Sequence, residues 1–310
     1  MPELPEISLY LDAFRRRIEG APLRAVRLRS PSLLKTWDPP LPAVEGGRVT
    51  GLSRLGKRVV WAVEPDLFLV FHLMVTGRFQ WRAPGAPVPR KVGHAAFDFD
   101  DGTVLLTEQG SKKRASLHLV RGREALEALD PGGVEPLEVD EAGFREALLR
   151  ENHTLKRALT DPRIFSGIGN AHSDEILLRA RLSPLQRTAN LSAEEVGRLH
   201  GATQASLREW MERLRAETGS DFPSRVTAFH PEMTAHGRYG EPCPRCGEPI
   251  QRIRYAGRET NYCPTCQTGG KLLADRALSR ILGDDWPRSV EELESLRREH
   301  RGGAGPSVSP

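Results

Sequence analysis

Four cysteines, Cys243, Cys246, Cys263 and Cys266, lie close together in a 310-residue chain that has no others. They form two CxxC pairs, with residues 247–262 between them. Each pair offers two thiolates from one short turn, and two such turns can close a tetrahedral site around a zinc ion. Disulfides are the alternative, but they need an oxidising compartment, and the N-terminus lacks the basic-then-apolar stretch of a secretory signal. A structural zinc ion and a reducing, bacterial-type cytoplasm are therefore expected. Between the pairs, GEPIQRIRYAGRETNY alternates Ile250, Arg252 and Arg254 ahead of a turn near Ala256 and Gly257. That pattern predicts a β-hairpin pinned at its base by the metal. At the tip of such a hairpin Arg258 could bring a guanidinium to a phosphate, with Arg252 and Arg254 adding sequence-independent attraction. A zinc ribbon that binds nucleic acid and catalyses nothing fits the same residues.

The rest of the chain is long enough for two ordinary domains and a small appendage. Hydrophobic residues make up 38%, which is enough for packed cores. No apolar run approaches the roughly 20 residues of a membrane span. The net charge of +4 and pI near 9.0 suit a polyanionic partner without demanding one, so the placement of the charge matters more than its total.

After a first helix carrying Ile7, Leu11, Phe14 and Ile18, the stretch from Ala25 to about Val120 reads mainly as strands. VVWAV, LFLVFHL and the pair AAFDF and TVLLT around Asp100-Asp101-Gly102 predict short antiparallel strands with tight turns, hence a β-sandwich or barrel. LDPGGVEPLEVD (residues 129–140) is rich in Pro, Gly and acid and predicts a linker. Beyond it EAGFREALLREN, TLKRALTD, SDEILLRARL and a long segment opened by the capping box Ser192 and Glu195 are helical in period. Two short helices are expected within residues 271–300, and GGAGPSVSP at the end reads as disordered.

Two stretches carry further chemistry. Phe165-Ser166-Gly167-Ile168-Gly169-Asn170 joins one helical segment to the next. Its glycines permit a tight reversal and a close approach, and Asn170 at the new N-terminus can aim its amide and the first free N–H groups at an anion such as a DNA phosphate. A plain helical corner with a capping Asn fits equally well. The second stretch is the start, MPELPEI. Removal of Met1 would expose Pro2 as a secondary-amine nucleophile beside the carboxylate of Glu3, although Pro5 suits the first turn of a helix and Pro2 and Glu3 then need be no more than its lead-in.

Taken in order, MPELPEI, GKRVV with Lys57, SGIGNAHSDEILLRA and GRETNYCPTCQ resemble the formamidopyrimidine-DNA glycosylase and endonuclease VIII family, from residue 1 to about residue 267. The resemblance implies a multidomain α+β fold: an N-terminal helix with an antiparallel β-sandwich (1–130), a helix–two-turn–helix domain (131–225), a zinc finger (236–270) and a C-terminal extension (271–310). It implies a monomer that acts on double-stranded DNA bearing damaged bases or abasic sites, with the DNA crossing a cleft between two lobes. It further implies a bifunctional DNA glycosylase and AP lyase of base excision repair, using a Pro2 Schiff base and β,δ-elimination. Glu3 would be the general acid and Glu6 would orient the site. Lys57 and Arg258 join the catalytic set, and with Asn170 they would clamp the phosphates around an extruded nucleotide. A branch cutting oxidised pyrimidines, bulky or crosslinked bases, and a catalytically silent damage-binding protein, are the rivals.

One part of the pattern departs. Family members acting on oxidised purines fill the space left by the extruded base with a Met, an Arg and a Phe. Here Val75 stands at the Met position, with Met74 one place early, and Lys113, Arg114 and Ala115 correspond to the Arg-Arg-Phe stretch. Lys113 and Arg114 remain expected DNA contacts, the aromatic wedge is missing, and the loop at 218–231 differs too. Specificity for 8-oxoguanine does not carry over.

Overall fold

The computed structural model describes residues 1–110, 112–223, 226–255 and 258–274, with 283, 286–287, 289–293 and 295. The chain forms two compact units. One comprises Met1–Leu148, Leu159–Gly169 and Thr203–Ala228; the other comprises Leu149–Ala158, Asn170–Ala202 and the described residues from Phe229 onward. Among the described residues no helix is long and apolar enough to cross a membrane.

The first unit opens with α1 (Leu4–Arg15), which starts after Glu3 in a reciprocal capping box with Glu6 and carries Pro5 in its first turn. Its apolar face holds Ile7, Leu11 and Phe14, and Ile18 just beyond its end is also buried. The strands follow: β1 (Ala25–Leu28), β2 (Val49–Leu55), β3 (Arg58–Val63), β4 (Leu67–His72), β5 (Gly77–Arg82), β6 (Gly93–Phe99), β7 (Gly102–Glu108) and β8 (Ser116–Arg121). They make two four-stranded antiparallel sheets, ordered β1-β6-β7-β5 and β2-β3-β4-β8. Alternation along the strands sends Val59, Trp61 and Val63 of one sheet and Phe79, Phe97, Val104 and Leu106 of the other into a single core.

Phe14 of α1 packs edge-on against Trp61 at 5.0 Å and against Phe79 at 5.0 Å, so the helix is keyed into the sandwich by aromatic contacts. Phe14→Ala would cost about 3–5 kcal/mol in this setting and would loosen the helix that carries the N-terminus.

The Pro- and Gly-rich stretch at 129–140 is not a free tether. Val134 donates to the Ile164 carbonyl at 3.0 Å, Ser166 donates back to Val134 at 2.9 Å, and Glu135 pairs with Arg54. Both backbone polar groups of Val134 are thus satisfied by the 164–166 segment. Around it lie α2 (Arg123–Glu127) and α3 (Glu141–Leu149).

Helices α4 (Leu155–Thr160) and α6 (Ala193–Thr218) contribute residues to both units. The expected capping box at the start of α6 is present, with Ser192 N–H on Glu195 Oε2 at 2.9 Å and Glu195 N–H on Ser192 Oγ at 3.2 Å. Within the second unit, α5 (Asn170–Ala180) buries nearly its whole length, charged residues included. Asp174 there pairs with Lys156 at 2.5 Å and with His236 at 2.7 Å. Glu175 accepts the backbone N–H groups of Thr234, Ala235 and His236. Fully paired in this way, the buried carboxylates bind the helix to the segment leading into the cysteines.

That segment continues into an antiparallel hairpin, β9 (Gln251–Tyr255) and β10 (Arg258–Tyr262), and a short helix α7 (Pro264–Thr268). Ala256 and Gly257 of the expected turn lie outside the described residues. So do the two expected helices and the chain end after Ala274, apart from the few residues named above.

Candidate active site and zinc centre

The N-terminal chemistry gathers where α1 begins. Pro2, Glu3 and Glu6 are buried. Glu3 is only 2% exposed, and its Oε2 accepts the backbone N–H of Gly169 at 2.7 Å. Glu6 Oε2 accepts the Glu3 N–H at 2.7 Å, and Leu4 N–H donates to the Gly167 carbonyl at 2.9 Å. Two glycines are required here for different reasons. Gly167 has φ +79°, and a Cβ on Gly169 would lie 2.4 Å from the Glu3 carboxyl carbon. The reversal read from FSGIGN therefore presses its backbone directly against the Glu3 side chain.

The electrostatics favour a neutral amine at this end. Burial is the largest influence holding the amine of Met1, one residue before Pro2, below its ordinary 8.0. Glu3 and Glu6 oppose it, while Arg78 and Lys57 act in the same direction as burial. Lys57 sits in the turn between β2 and β3. In that turn Arg54 donates to the Gly56 carbonyl at 2.7 Å and to Ser166 Oγ at 3.0 Å. One arginine thus braces the lysine turn on the glycine loop.

Between β4 and β5, Val75 is 50% exposed, and Met74 before it holds φ +53°, an uncommon conformation for a side-chain-bearing residue. Lys113 and Arg114 are exposed as expected. Ala115 is not: it is 4% exposed and belongs to the sandwich core, so it cannot stand in for an aromatic wedge on the surface. The backbone turns inward one residue earlier than the motif suggested, because the Arg114 and Ala115 N–H groups are drawn onto the buried Glu108 carboxylate.

In the second unit Asn170 is the first residue of α5, and its side-chain amide donates to the Glu259 carbonyl at 2.8 Å. Asn170 and β10 are thereby joined, with exposed Arg258 one residue before the acceptor. Lys156 donates to the Asn170 carbonyl at 2.6 Å and fixes the start of the helix. Arg252 and Arg254 are less available than the sequence implied. Both pair with Glu259, at 3.5 Å and 3.1 Å, and the Arg252 guanidinium also lies 4.0 Å from the Tyr239 ring centroid.

The four cysteine sulfurs lie within 4.8 Å of one another, with Cys243 to Cys266 at 4.0 Å and Cys246 to Cys263 at 3.4 Å. A tetrahedron with Zn–S bonds of about 2.3 Å has sulfurs roughly 3.8 Å apart, so the donor set fits zinc in number, type and spacing. Burial pushes the Cys263 and Cys266 thiols up, so a cation that binds there displaces protons. Gln267 accepts the Cys263 N–H at 2.8 Å and donates to the Leu182 carbonyl at 2.9 Å, which holds the second pair in place.

The same three regions are picked out by comparison with known proteins. Residues 1–112 match the formamidopyrimidine-DNA glycosylase N-terminal domain and residues 132–220 its H2TH domain. Residues 240–269 match the zinc finger found in FPG and IleRS. The chain belongs to the formamidopyrimidine-DNA glycosylase family. It is 34% identical over 277 residues to the protein of that name from Heliobacterium modesticaldum, covering 86% of this chain and all of that one. A solved MutM in complex with DNA containing carbocyclic 8-oxo-G superposes with TM-score 0.77 at 27% identity, covering 86% of this chain and 100% of the other. A complex between Lactococcus lactis Fpg and DNA containing an abasic site superposes with TM-score 0.76 at 27% identity, covering 86% and 99%. The α+β architecture and the structural zinc read from the sequence are those of this family.

Several residues that hold the site were not singled out from the sequence. Arg54, Arg78, Lys156, Asp174, His236 and the pair His94–Glu108 each act across a long stretch of chain. An isolated charge in a strand or helix carries no local signal of a distant partner. Glu175 is the exception, since a Glu inside the apolar run of α5 invites the question of what satisfies it.

Proposed function

We propose that the chain is a bifunctional DNA glycosylase and AP lyase of base excision repair that works through the amine of Pro2. The observation that carries this is the environment of the N-terminus. Pro2 is buried beside a Glu3 carboxyl fixed by Gly169 and a Glu3 backbone held by Glu6, in surroundings that hold the amine of Met1 toward its neutral form. With Met1 removed, the Pro2 nitrogen attacks C1′ of the damaged nucleotide, the glycosidic bond breaks, and the base leaves with a proton. Glu3 supplies the proton that opens the sugar ring. The adduct is an iminium with a fixed positive charge, which acidifies the C2′ hydrogens. Loss of one breaks the C3′–O bond to the 3′ phosphate, a second elimination releases the 5′ phosphate, and water frees the sugar fragment from Pro2.

Asn170, Lys57 and Arg258 supply the cationic and amide contacts that hold the flanking phosphates while the nucleotide is out of the stack, and Lys113 and Arg114 meet the DNA near the vacated position. Zinc keeps the hairpin rigid so that Arg258 is presented at a fixed height. On this reading catalysis belongs to residues 1–130, duplex grip to 131–225 and 236–270, and the site of action is the bacterial nucleoid in the cytoplasm. The structural relatives bound to DNA containing carbocyclic 8-oxo-G or an abasic site support damaged double-stranded DNA as the substrate class, without fixing the lesion.

Borohydride reduction of enzyme mixed with a panel of lesion-bearing duplexes tests this directly. A covalent protein–DNA adduct at Pro2 is expected. Strand cleavage without any trapped adduct would mean that the amine is not the nucleophile.

A further inference from the structure

A buried acid–base pair lies away from the N-terminal site. His94 of β6 and Glu108 at the end of β7 are each about 2% exposed in their side chains, and His94 Nε2 lies 2.9 Å from Glu108 Oε2. A buried carboxylate of this kind is costly unless every lone pair is used. Glu108 uses them on the basic loop: Arg114 N–H reaches Oε1 at 3.0 Å and Oε2 at 2.9 Å, and Ala115 N–H reaches Oε2 at 3.1 Å. Lys113 Nζ donates to the Glu108 backbone carbonyl. His94 Nδ1 has no hydrogen-bond partner among the described residues, so the carboxylate is the one polar group there that this buried ring serves.

The same strand end also anchors the turn that carries Val75. Glu108 is in register with Gly77 on β5, and Thr76 Oγ1 donates to the Gln109 carbonyl at 2.6 Å. The turn carrying Val75 and the loop carrying Lys113 and Arg114 are therefore both tied to the end of β7.

We infer that His94 and Glu108 form a positioning unit that sets how Lys113 and Arg114 meet duplex DNA, without either residue touching the DNA. The inference rests on the proposed DNA contact of Lys113 and Arg114. Chain entropy explains why a buried anchor is needed. A loop of flexible Lys and Arg side chains on a mobile backbone would surrender much of its binding energy to ordering, and a pre-fixed backbone removes that cost. The carboxylate does this best because both its oxygens accept and its charge strengthens each bond: Gln in the same place offers one neutral acceptor oxygen and turns an NH2 toward the Arg114 N–H or the His94 ring.

The test compares Glu108→Gln, His94→Asn and the double variant Lys113→Ala/Arg114→Ala with wild type. Melting temperature and zinc content report folding. Borohydride trapping on a single-stranded abasic oligonucleotide reports the Pro2 chemistry. Affinity for the same site in a duplex, divided by that for the single strand, reports the loop. Glu108→Gln is expected to lower the duplex-to-single-strand ratio about tenfold, the worth of one charge-assisted hydrogen bond, with single-strand trapping within about twofold of wild type. His94→Asn, the milder change, should move the ratio in the same direction and serves where Glu108→Gln fails to fold. An unchanged ratio in the folded Glu108 or His94 variant, beside a reduced one in Lys113→Ala/Arg114→Ala, would overturn the inference and leave the loop contact standing. An unchanged ratio in Lys113→Ala/Arg114→Ala would overturn the loop contact itself, and the inference with it.

Discussion

Glu3 Oε2 accepts the backbone N–H of Gly169 at 2.7 Å across 166 positions of sequence. The contact fixes the carboxyl that neighbours the N-terminal amine, and it does so with a backbone donor that no side-chain rotation can remove. Glu3 is also the N-cap of α1 and shares a capping box with Glu6, so its backbone is held as firmly as its side chain. A general acid needs a fixed approach to its substrate oxygen, and these contacts supply one.

Gly169→Ala should therefore damage chemistry more than folding. The added Cβ would lie 2.4 Å from the Glu3 carboxyl, so Glu3 or the loop must shift. Overpacking of this kind costs about 1–3 kcal/mol. The larger effect should be on excision, which is expected to fall on the order of 100-fold because a catalytic group displaced by an ångström loses its alignment. Single-turnover excision and thermal melting, measured together, check this; a variant with wild-type excision would show that Glu3 does not need its Gly169 anchor.

Borohydride trapping on abasic DNA should follow the neutral fraction of the N-terminal amine. With Met1 in place, burial above all lowers that residue's amine from 8.0, and Pro2 is buried at the same end of α1, so trapping is expected to rise with pH as the terminal secondary amine loses its proton. Arg78 lowers the Met1 amine in the same direction, and a positive charge that close disfavours a protonated amine at Pro2 too, so Arg78→Gln should move the trapping profile to higher pH. Pro2→Gly should weaken trapping severely, and a tag fused to the N-terminus should abolish it. A tagged protein with full lyase activity would exclude Pro2.

Much of this site was legible in the sequence because its residues sit in short motifs with local grammar. The capping box at Ser192, the hairpin between the cysteines and the helix-loop-helix around FSGIGN each announce themselves within a few residues. What was not legible is long-range. Nothing near Arg54 points to Ser166, and nothing near Asp174 points to His236. Ala115 shows the same limit from the other side. Aligned by motif it belonged on the DNA face, yet the pull of Glu108 on its backbone turns it into the core. In sequence Arg252 and Arg254 are charges open to a phosphate, and their partner, Glu259, is hidden from that reading because it lies on the opposite strand of the hairpin.

Zinc analysis should find one ion per chain. Cys→Ser at Cys243, Cys246, Cys263 or Cys266 is expected to release it and to weaken duplex binding, since the short hairpin has little apolar core apart from Ile250 and its neighbours. Folded, DNA-binding protein without zinc would contradict the assignment.

Stability should fall on acidification through His72. Burial, and after it Arg58, Lys57 and His118, lower its pKa from 6.5 to about 4. A lowered histidine is neutral in the fold while the unfolded chain takes up a proton, so its contribution is fully present above pH 6.5 and is lost as pH falls toward 4. The loss is at most on the order of 3 kcal/mol. Denaturant melts of wild type and His72→Gln between pH 4 and 7 should show a shallower acid slope in the variant; parallel slopes would remove His72 from the account.

Lesion preference should follow from what occupies the gap left by an extruded base. With Ala115 in the core, the surface that faces that gap on this reading is reduced to Val75, held out by the φ +53° of Met74, and to the Lys113–Arg114 pair. A valine offers less area than the methionine of the family pattern, and neither cation stacks as a phenylalanine ring does. Stacking on one base is worth on the order of 1–3 kcal/mol, so its absence changes a relative rate tenfold or more. Discrimination by the opposite base should therefore be shallow. Excision of 8-oxoguanine opposite cytosine should be slower than cleavage at abasic sites, in bubbles, or at lesions that already distort the duplex, where less unstacking must be compensated. Val75→Met should steepen the opposite-base dependence, because a longer unbranched side chain reaches further into the stack. Single-turnover rates for 8-oxoguanine opposite each of the four bases, in wild type and Val75→Met, decide the matter. If wild type cleaves 8-oxoguanine fastest of all lesions and strongly prefers cytosine opposite it, Lys113 and Arg114 are filling the gap themselves, and the small side chain at 75 is no defect.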